Sequence, residues 1–173
     1  VERLQRNTSL MGIPGVCGRN GSDLSIHSQI LKVEDLGSLQ SPRYDGLPIQ
    51  SYWCPDAVYR PMVTMITSRG CPHRCAFCSS PELLGRKVRF RPIHQIINDI
   101  ENLIVQHGVK EISFVDDVFT IKKTRLLDFC NKLIQREFKI SWFCNARADQ
   151  LTDELASAMK AAGCHQVYLG FES

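Results

Sequence analysis

No apolar run in this chain approaches the roughly 20 residues that a membrane-spanning helix needs, and no basic-then-apolar leader opens it. Charge of one sign is scarce as well. With 21 Lys and Arg against 18 Asp and Glu the net charge is +3, too little to mark a nucleic-acid binder or an anionic-membrane binder. Internal repeats and low-complexity tracts are missing, and regular helical periodicity is missing from residues 1–60. Eight cysteines are present, yet the short, loop-rich character of a disulfide scaffold is not, because long periodic segments fill the second half. A reducing cytoplasm is the expected setting, with three cysteines for metal and the others mostly packing residues or spare thiols. What remains is ordinary: 43% apolar and 23% charged residues over 173 positions suffice for one domain with a real core. The chain opens at Val1 and closes at Ser173 straight after an apolar run, so we read it as a piece of a longer protein.

Residues 1–60 are rich in turn formers, among them Gly12, Gly15, Gly18, Gly21, Pro42 and Pro48. They read as the end of one domain followed by an irregular linker, with a strand or hairpin arm over Leu24 to Ile30. From residue 61 the pattern becomes regular. Met62 to Thr67 is apolar and β-branched, as a buried strand should be. Ile93, Ile96, Ile97, Ile100, Leu103 and Ile104 recur at helical spacing between Pro92 and Gly108. Glu111 to Val115 reads as a second strand, and Leu126 to Ile134 as a second amphipathic helix. Ile140 to Cys144 reads as a third strand. Thr152, followed by Asp153 and Glu154, caps a third helix that stops at Gly163. Gln166 to Phe171 reads as a fourth strand. The result is an α/β chain of parallel βα repeats with right-handed crossovers. Four strands leave two architectures open, an open parallel sheet or the opening part of a barrel.

In parallel βα folds the carboxyl ends of the strands build the site. Here those ends carry Cys71, Cys75 and Cys78, then Asp116 and Asp117, then Asn145, Arg147 and Asp149, then Gly170 and Glu172. Wet loops explain one or two polar strand ends. They explain less well a metal-ligand triplet, a carboxylate pair, an arginine and a glutamate at one rim. The spacing Cys71-x3-Cys75-x2-Cys78 places three soft ligands together, suited to zinc, copper(I) or an iron–sulfur cluster. A structural zinc site needs a fourth ligand, and His73 is cramped between Cys71 and Cys75. A ferredoxin-type cluster also needs a fourth cysteine, for which Cys54, Cys130, Cys144 and Cys164 are candidates. The third possibility is a [4Fe–4S] cluster on three cysteines with one iron open.

The stretch CPHRCAFC, just after the first strand, resembles the signature loop of the radical S-adenosylmethionine (SAM) superfamily, with Phe77 in its aromatic place. The resemblance implies the first part of a partial (β/α)6 TIM-like barrel. It also implies a [4Fe–4S] cluster on Cys71, Cys75 and Cys78, whose open iron binds SAM. One electron then cleaves SAM to a 5′-deoxyadenosyl radical that abstracts hydrogen from substrate. It further implies that Asp116 and Asp117, in FVDDVFT, take the place that meets the methionine amino group. Arg147 would pair with a carboxylate, Glu172 in LGFES would reach the cofactor, and Phe77 would shape the loop near the adenine. The runs VEDLGSLQSPRYDGLP and SYW resemble the linker of the branch that carries a cobalamin-binding domain before the radical domain. That implies two segments, 1–60 as the tail of such a domain plus linker and 61–173 as the N-terminal part of the radical core. The function implied is a cobalamin-dependent methyltransferase or cyclase acting on a small-molecule or biosynthetic-intermediate substrate. Its electron donor would be of the flavodoxin or ferredoxin kind, with no nucleic acid and no membrane span. A methylthiotransferase-like enzyme and a non-enzymatic zinc or iron–sulfur module are the competing expectations. The basic stretch GRKVRFRP reads as a solvated loop.

Overall fold

The computed structural model describes residues 5–6, 13, 15–20, 22–26 and 32–171. The chain divides into two compact units, Val1–Glu34 and Asp35–Ser173. In the first, β1 (Cys17–Asn20) pairs antiparallel with β2 (Asp23–Ile26). The hairpin occupies the start of the expected 24–30 arm; positions 27–30 lie outside the described residues.

The second unit opens with β3 (Met62–Met65), β4 (Ser68–Arg69), α1 (Ser80–Leu84) and β5 (Arg89–Phe90). It continues with α2 (Ile93–His107), β6 (Glu111–Phe114), α3 (Lys123–Gln135), β7 (Ser141–Arg147), α4 (Asp153–Ala161) and β8 (Cys164–Gly170). The main sheet has the order β3-β6-β7-β8, every pair parallel, so each βα unit adds its strand beside the last.

Local chemistry explains the long elements. Pro92, with φ −57°, presets the entry of α2. Its buried stripe is Ile96, Ile97, Ile100 and Leu103. Gly108, in the left-handed region at φ 64°, ends it by donating to the Ile104 carbonyl. At α4, Thr152 Oγ1 accepts from the Leu155 amide at 3.3 Å. α3 touches both α2 and α4. Alternate strand residues, including Val63, Met65, Ile112, Phe114 and Trp142, join the helix stripes in one hydrophobic cluster. At its centre Phe114, Phe119, Phe129 and Trp142 pack with ring centroids 4.7–5.8 Å apart. The Trp142 indole donates to the Ala162 carbonyl at 2.7 Å, so its one polar atom is satisfied in the core.

Residues 35–60 pack as part of this second unit. Leu36 and Ile49 are buried, Gln50 Nε2 donates to the His107 carbonyl at 2.9 Å, and the Tyr59 amide donates to the Glu111 carboxylate at 2.6 Å. The strand residues not turned to the helices, such as Thr64, Ser113 and Asn145, border a cavity of ≈ 600 Å³ together with Tyr52 and Trp53.

Candidate metal and cofactor site

The cysteine loop leaves the sheet through a tied root. β4 and β5 pair antiparallel, Ser68 opposite Phe90 and Arg69 opposite Arg89, clamping the two ends of the segment together. Beneath them Asp116 is almost wholly buried. Its carboxylate accepts from the Thr67 amide at 3.0 and 3.1 Å, from the Thr67 hydroxyl at 3.1 Å and from the Ser68 hydroxyl at 2.5 Å. Burial raises its pKa, and the hydrogen bonds from Ser68 and Thr67 pull the other way. Arg125 lies over the Phe90 ring at 4.9 Å and donates to the carbonyls of Thr67 (3.3 Å) and Arg91 (3.2 Å). Gly70 then turns the chain at φ 100°; a Cβ there would stand 2.4 Å from the Lys87 carbonyl oxygen and 2.9 Å from that of Gly85.

Beyond the root, the Cys71 amide donates to the Gly85 carbonyl at 3.0 Å and the Cys78 amide to that of Cys75 at 3.2 Å. Arg86 Nη1 reaches back to the His73 carbonyl at 3.0 Å, fastening the middle of the loop. Cys71 is buried, Cys75 half-buried and Cys78 exposed, and all eight cysteines are free. The three loop thiols line one cavity of ≈ 610 Å³ at the carboxyl ends of the strands, which Phe77, Asp117 and Arg147 also border. Cys54, Cys130, Cys144 and Cys164, the candidates for a fourth thiolate, do not line it. Cys130 and Cys144 are core residues, and burial pushes the Cys130 thiol up to about 12. His73 borders the cavity but faces Gln150, Nε2 to Nε2 at 3.3 Å. Among the described residues, no three His, Cys, Asp or Glu converge to hold a single metal ion.

The two aspartates part company. Asp116, expected at the cofactor, is turned away from the cavity into the root described above, because neighbouring residues of an extended segment face opposite sides. Asp117 lines the cavity, and its Oδ2 is buried with no hydrogen-bond partner among the described residues. An orphaned carboxylate oxygen is costly unless something donates to it, so the cavity has an acceptor ready for a cationic or N–H group. Ser80 Oγ, on the same wall, is likewise buried and unpartnered. Arg147 holds Asp149 through two bonds, Nε to Oδ1 at 3.0 Å and Nη2 to Oδ2 at 2.8 Å. This pair lowers the Asp149 pKa. Arg147 Nη1 also lies 3.9 Å from Cys75 Sγ, which sets a positive charge beside a thiol that must ionise to bind iron. Phe77 is 70% exposed at the cavity mouth. Glu172 lies outside the described residues. Tyr168, absent from the sequence expectations, borders both this cavity and the one beneath it. Strand parity would have found it: it stands two residues before Gly170, on the face that Asn145 and Arg147 share.

Three thiols on a glycine-turned loop after the first strand of a parallel α/β sheet thus share one cavity with an unpaired carboxylate oxygen. The family model of the Radical SAM superfamily matches residues 65–173. An uncharacterized methyltransferase from Pyrococcus horikoshii is 34% identical over 173 residues, 100% of this chain and 37% of its own length. The anaerobic magnesium-protoporphyrin IX monomethyl ester cyclase of Rubrivivax gelatinosus is 33% identical over 147 residues, 82% of this chain and 25% of its own. Among solved structures, the cobalamin-dependent S-adenosylmethionine radical enzyme OxsB superposes with a TM-score of 0.71 at 25% identity, over 99% of this chain and 26% of that one. The chain thus spans about a third or less of the relatives it matches. It belongs to the radical SAM superfamily. Membership makes it part of an enzyme whose cofactors are a [4Fe–4S] cluster and SAM. No helix among the described residues is long and apolar enough to cross a membrane.

Proposed function

We propose that residues 61–173 supply the first strands of a (β/α)6 TIM-like barrel, and that residues 1–60 are the tail of a cobalamin-binding domain with its linker. The whole protein would then be a cytoplasmic, cobalamin-dependent radical SAM methyltransferase or cyclase. The single observation that carries this reading is the cavity in which three free thiols and the orphaned Asp117 oxygen meet. Support for the branch comes from the OxsB superposition, which extends over residues before 61 as well as after, and from the methyltransferase and cyclase relatives. The strictly sequential strand order suits a barrel in progress, since a doubly wound sheet reverses its order at the middle.

In this reading Cys71, Cys75 and Cys78 would hold a [4Fe–4S] cluster and leave one iron without a protein ligand. When bound, such a cluster would supply the one electron needed for reductive cleavage of SAM. Asp117 accepts hydrogen bonds from the SAM ammonium, for which its unpaired oxygen is prepared. Arg147, braced by Asp149, stabilises the Cys75 thiolate electrostatically. Phe77 covers the outer side of the cavity, helping to exclude water. Glu172, two residues beyond Gly170, is proposed to reach the cofactor from the end of β8. The substrate, a small molecule or biosynthetic intermediate, would reach the cavity from the face of the sheet that lacks helices.

The test is anaerobic reconstitution of the full-length protein followed by iron and sulfide analysis. We expect about four irons and four sulfides per chain, as a cubane requires, and an electron paramagnetic resonance spectrum that changes when SAM is added. One zinc and no sulfide would overturn the reading in favour of a metal-binding module. The methylthiotransferase alternative gains no support from the two relatives above, whose names denote a methyltransferase and a cyclase.

A further inference from the structure

The charges of this chain are unevenly placed. The segment from Ser68 to Arg91 holds six of the 21 Lys and Arg, and Glu82 is its only acid, so the rest of the chain is net acidic. Two of the six cations are turned inward. Arg89 is buried and donates to the Leu84 carbonyl at 2.5 Å, and Arg91 is paired with buried Asp99 at 2.5 Å. The others face outward: Arg74, Arg86 and Lys87 are exposed and Arg69 is half-buried. Contacts already described bring them together, since Gly70 packs on the Lys87 carbonyl, Arg86 binds the His73 carbonyl and Arg69 pairs with Arg89 across β4 and β5. Leu83, 63% exposed on α1, adds an apolar contact beside them. The cysteine loop is therefore also the outer wall of its own cavity, and that wall is cationic.

From this arrangement we infer that the outer surface of residues 69–87 is the docking face for a small acidic one-electron carrier protein. The inference rests on the radical SAM reading above, which requires an electron from outside the chain. In the docked complex the carrier gives up one electron and the cluster takes it; no bond forms or breaks, and no proton moves. A cationic wall beside a thiol-lined cavity serves that transfer in two ways. It steers an anionic protein to the loop at long range, and it places the carrier against the loop whose cysteines would hold the cluster. Leu83 supplies the apolar centre that a transient interface needs within its charged rim.

The experiment compares two reductants on the reconstituted full-length enzyme, a reduced flavodoxin and dithionite, following cluster reduction by stopped-flow absorbance. In the variant carrying Arg74→Glu and Lys87→Glu, iron content and the dithionite rate should stay at the wild-type level, while the flavodoxin rate falls at least about tenfold, as loss of electrostatic steering predicts. The Arg74→Gln, Lys87→Gln variant should fall between, and raising the salt should slow the wild type more than either variant. An unchanged flavodoxin rate in the charge-reversed protein overturns the inference. So does an equal slowing with both reductants, because the residues would then act on the cluster itself. If the wild type takes up no iron, it is the radical SAM reading that fails, and it does so before any variant is compared.

Discussion

Replacing Asp116 tests the root of the cysteine loop. Asp116→Ala leaves three buried donors without their acceptor: the Thr67 amide, the Thr67 hydroxyl and the Ser68 hydroxyl. The hydroxyls can rotate to new partners, but the amide is fixed. An unsatisfied buried donor costs about 1–3 kcal/mol, so the total should be about 3 kcal/mol. Asp116→Asn keeps one acceptor oxygen and should lose about half as much. In thermal unfolding the alanine variant should melt roughly 6–12 °C lower, and its reconstituted protein should carry less iron. The wild type should also show a pH signature. Burial raises the folded pKa of Asp116 above its ordinary value of 3.8, so the folded state holds this proton more tightly than the unfolded chain. This contribution to stability is present at low pH. It is lost as pH rises from about 4 through the raised value, because there the folded state binds more protons than the unfolded. Asp116→Asn should lack that slope. Urea unfolding of the three proteins across acidic pH measures both effects. An alanine variant as stable as the wild type would refute the clamp, and identical pH profiles for wild type and Asn would refute the buried carboxylate.

Gly70→Ala puts a Cβ 2.4 Å from the Lys87 carbonyl at φ 100°; it should cost at least about 2 kcal/mol and lower iron uptake, both readable by calorimetry and metal analysis. Asp117→Asn should retain the cluster but bind SAM about tenfold more weakly, the loss of one charge-assisted hydrogen bond, measured by titration under anaerobic conditions. In the iron-free protein, iodoacetamide at pH 8 should alkylate exposed Cys78 and spare Cys130, whose thiol burial pushes up to about 12; mass spectrometry of the peptides reads the difference.

Long elements were legible because one physical signal dominates each. Ile96, Ile97, Ile100 and Leu103 repeat at helical spacing between a proline and a left-handed glycine, and no other arrangement buries them together. The rest was hidden by brevity or by mixed signals. β4 and β5 are two residues each, and α1 has five, too short to show a period. β7 was expected to end at Cys144, since Asn145 and Arg147 look like loop residues. It continues to Arg147 because its ladder with β8 does, Asn145 opposite Tyr168 and Arg147 opposite Gly170. The same alternation separates the aspartates: Ile112 and Phe114 face the helices, so Asp116 follows them inward and Asp117 takes the cavity side. The cysteine triplet was visible from spacing alone, while its anchoring by Asp116, Arg125 and Gly70 depends on contacts between segments far apart in sequence.

All three long helices cover one face of the sheet, and fold stability is concentrated there. Thr64, Ser113, Asn145 and Tyr168 point the other way and lie outside the main hydrophobic cluster. Exchanging them changes the lining of a chamber and leaves the cluster of Phe114, Phe129 and Trp142 intact. A scaffold divided like this can be refitted for a new guest molecule at small risk of unfolding, as long as the sulfur-bearing loop and its fastening stay where they are.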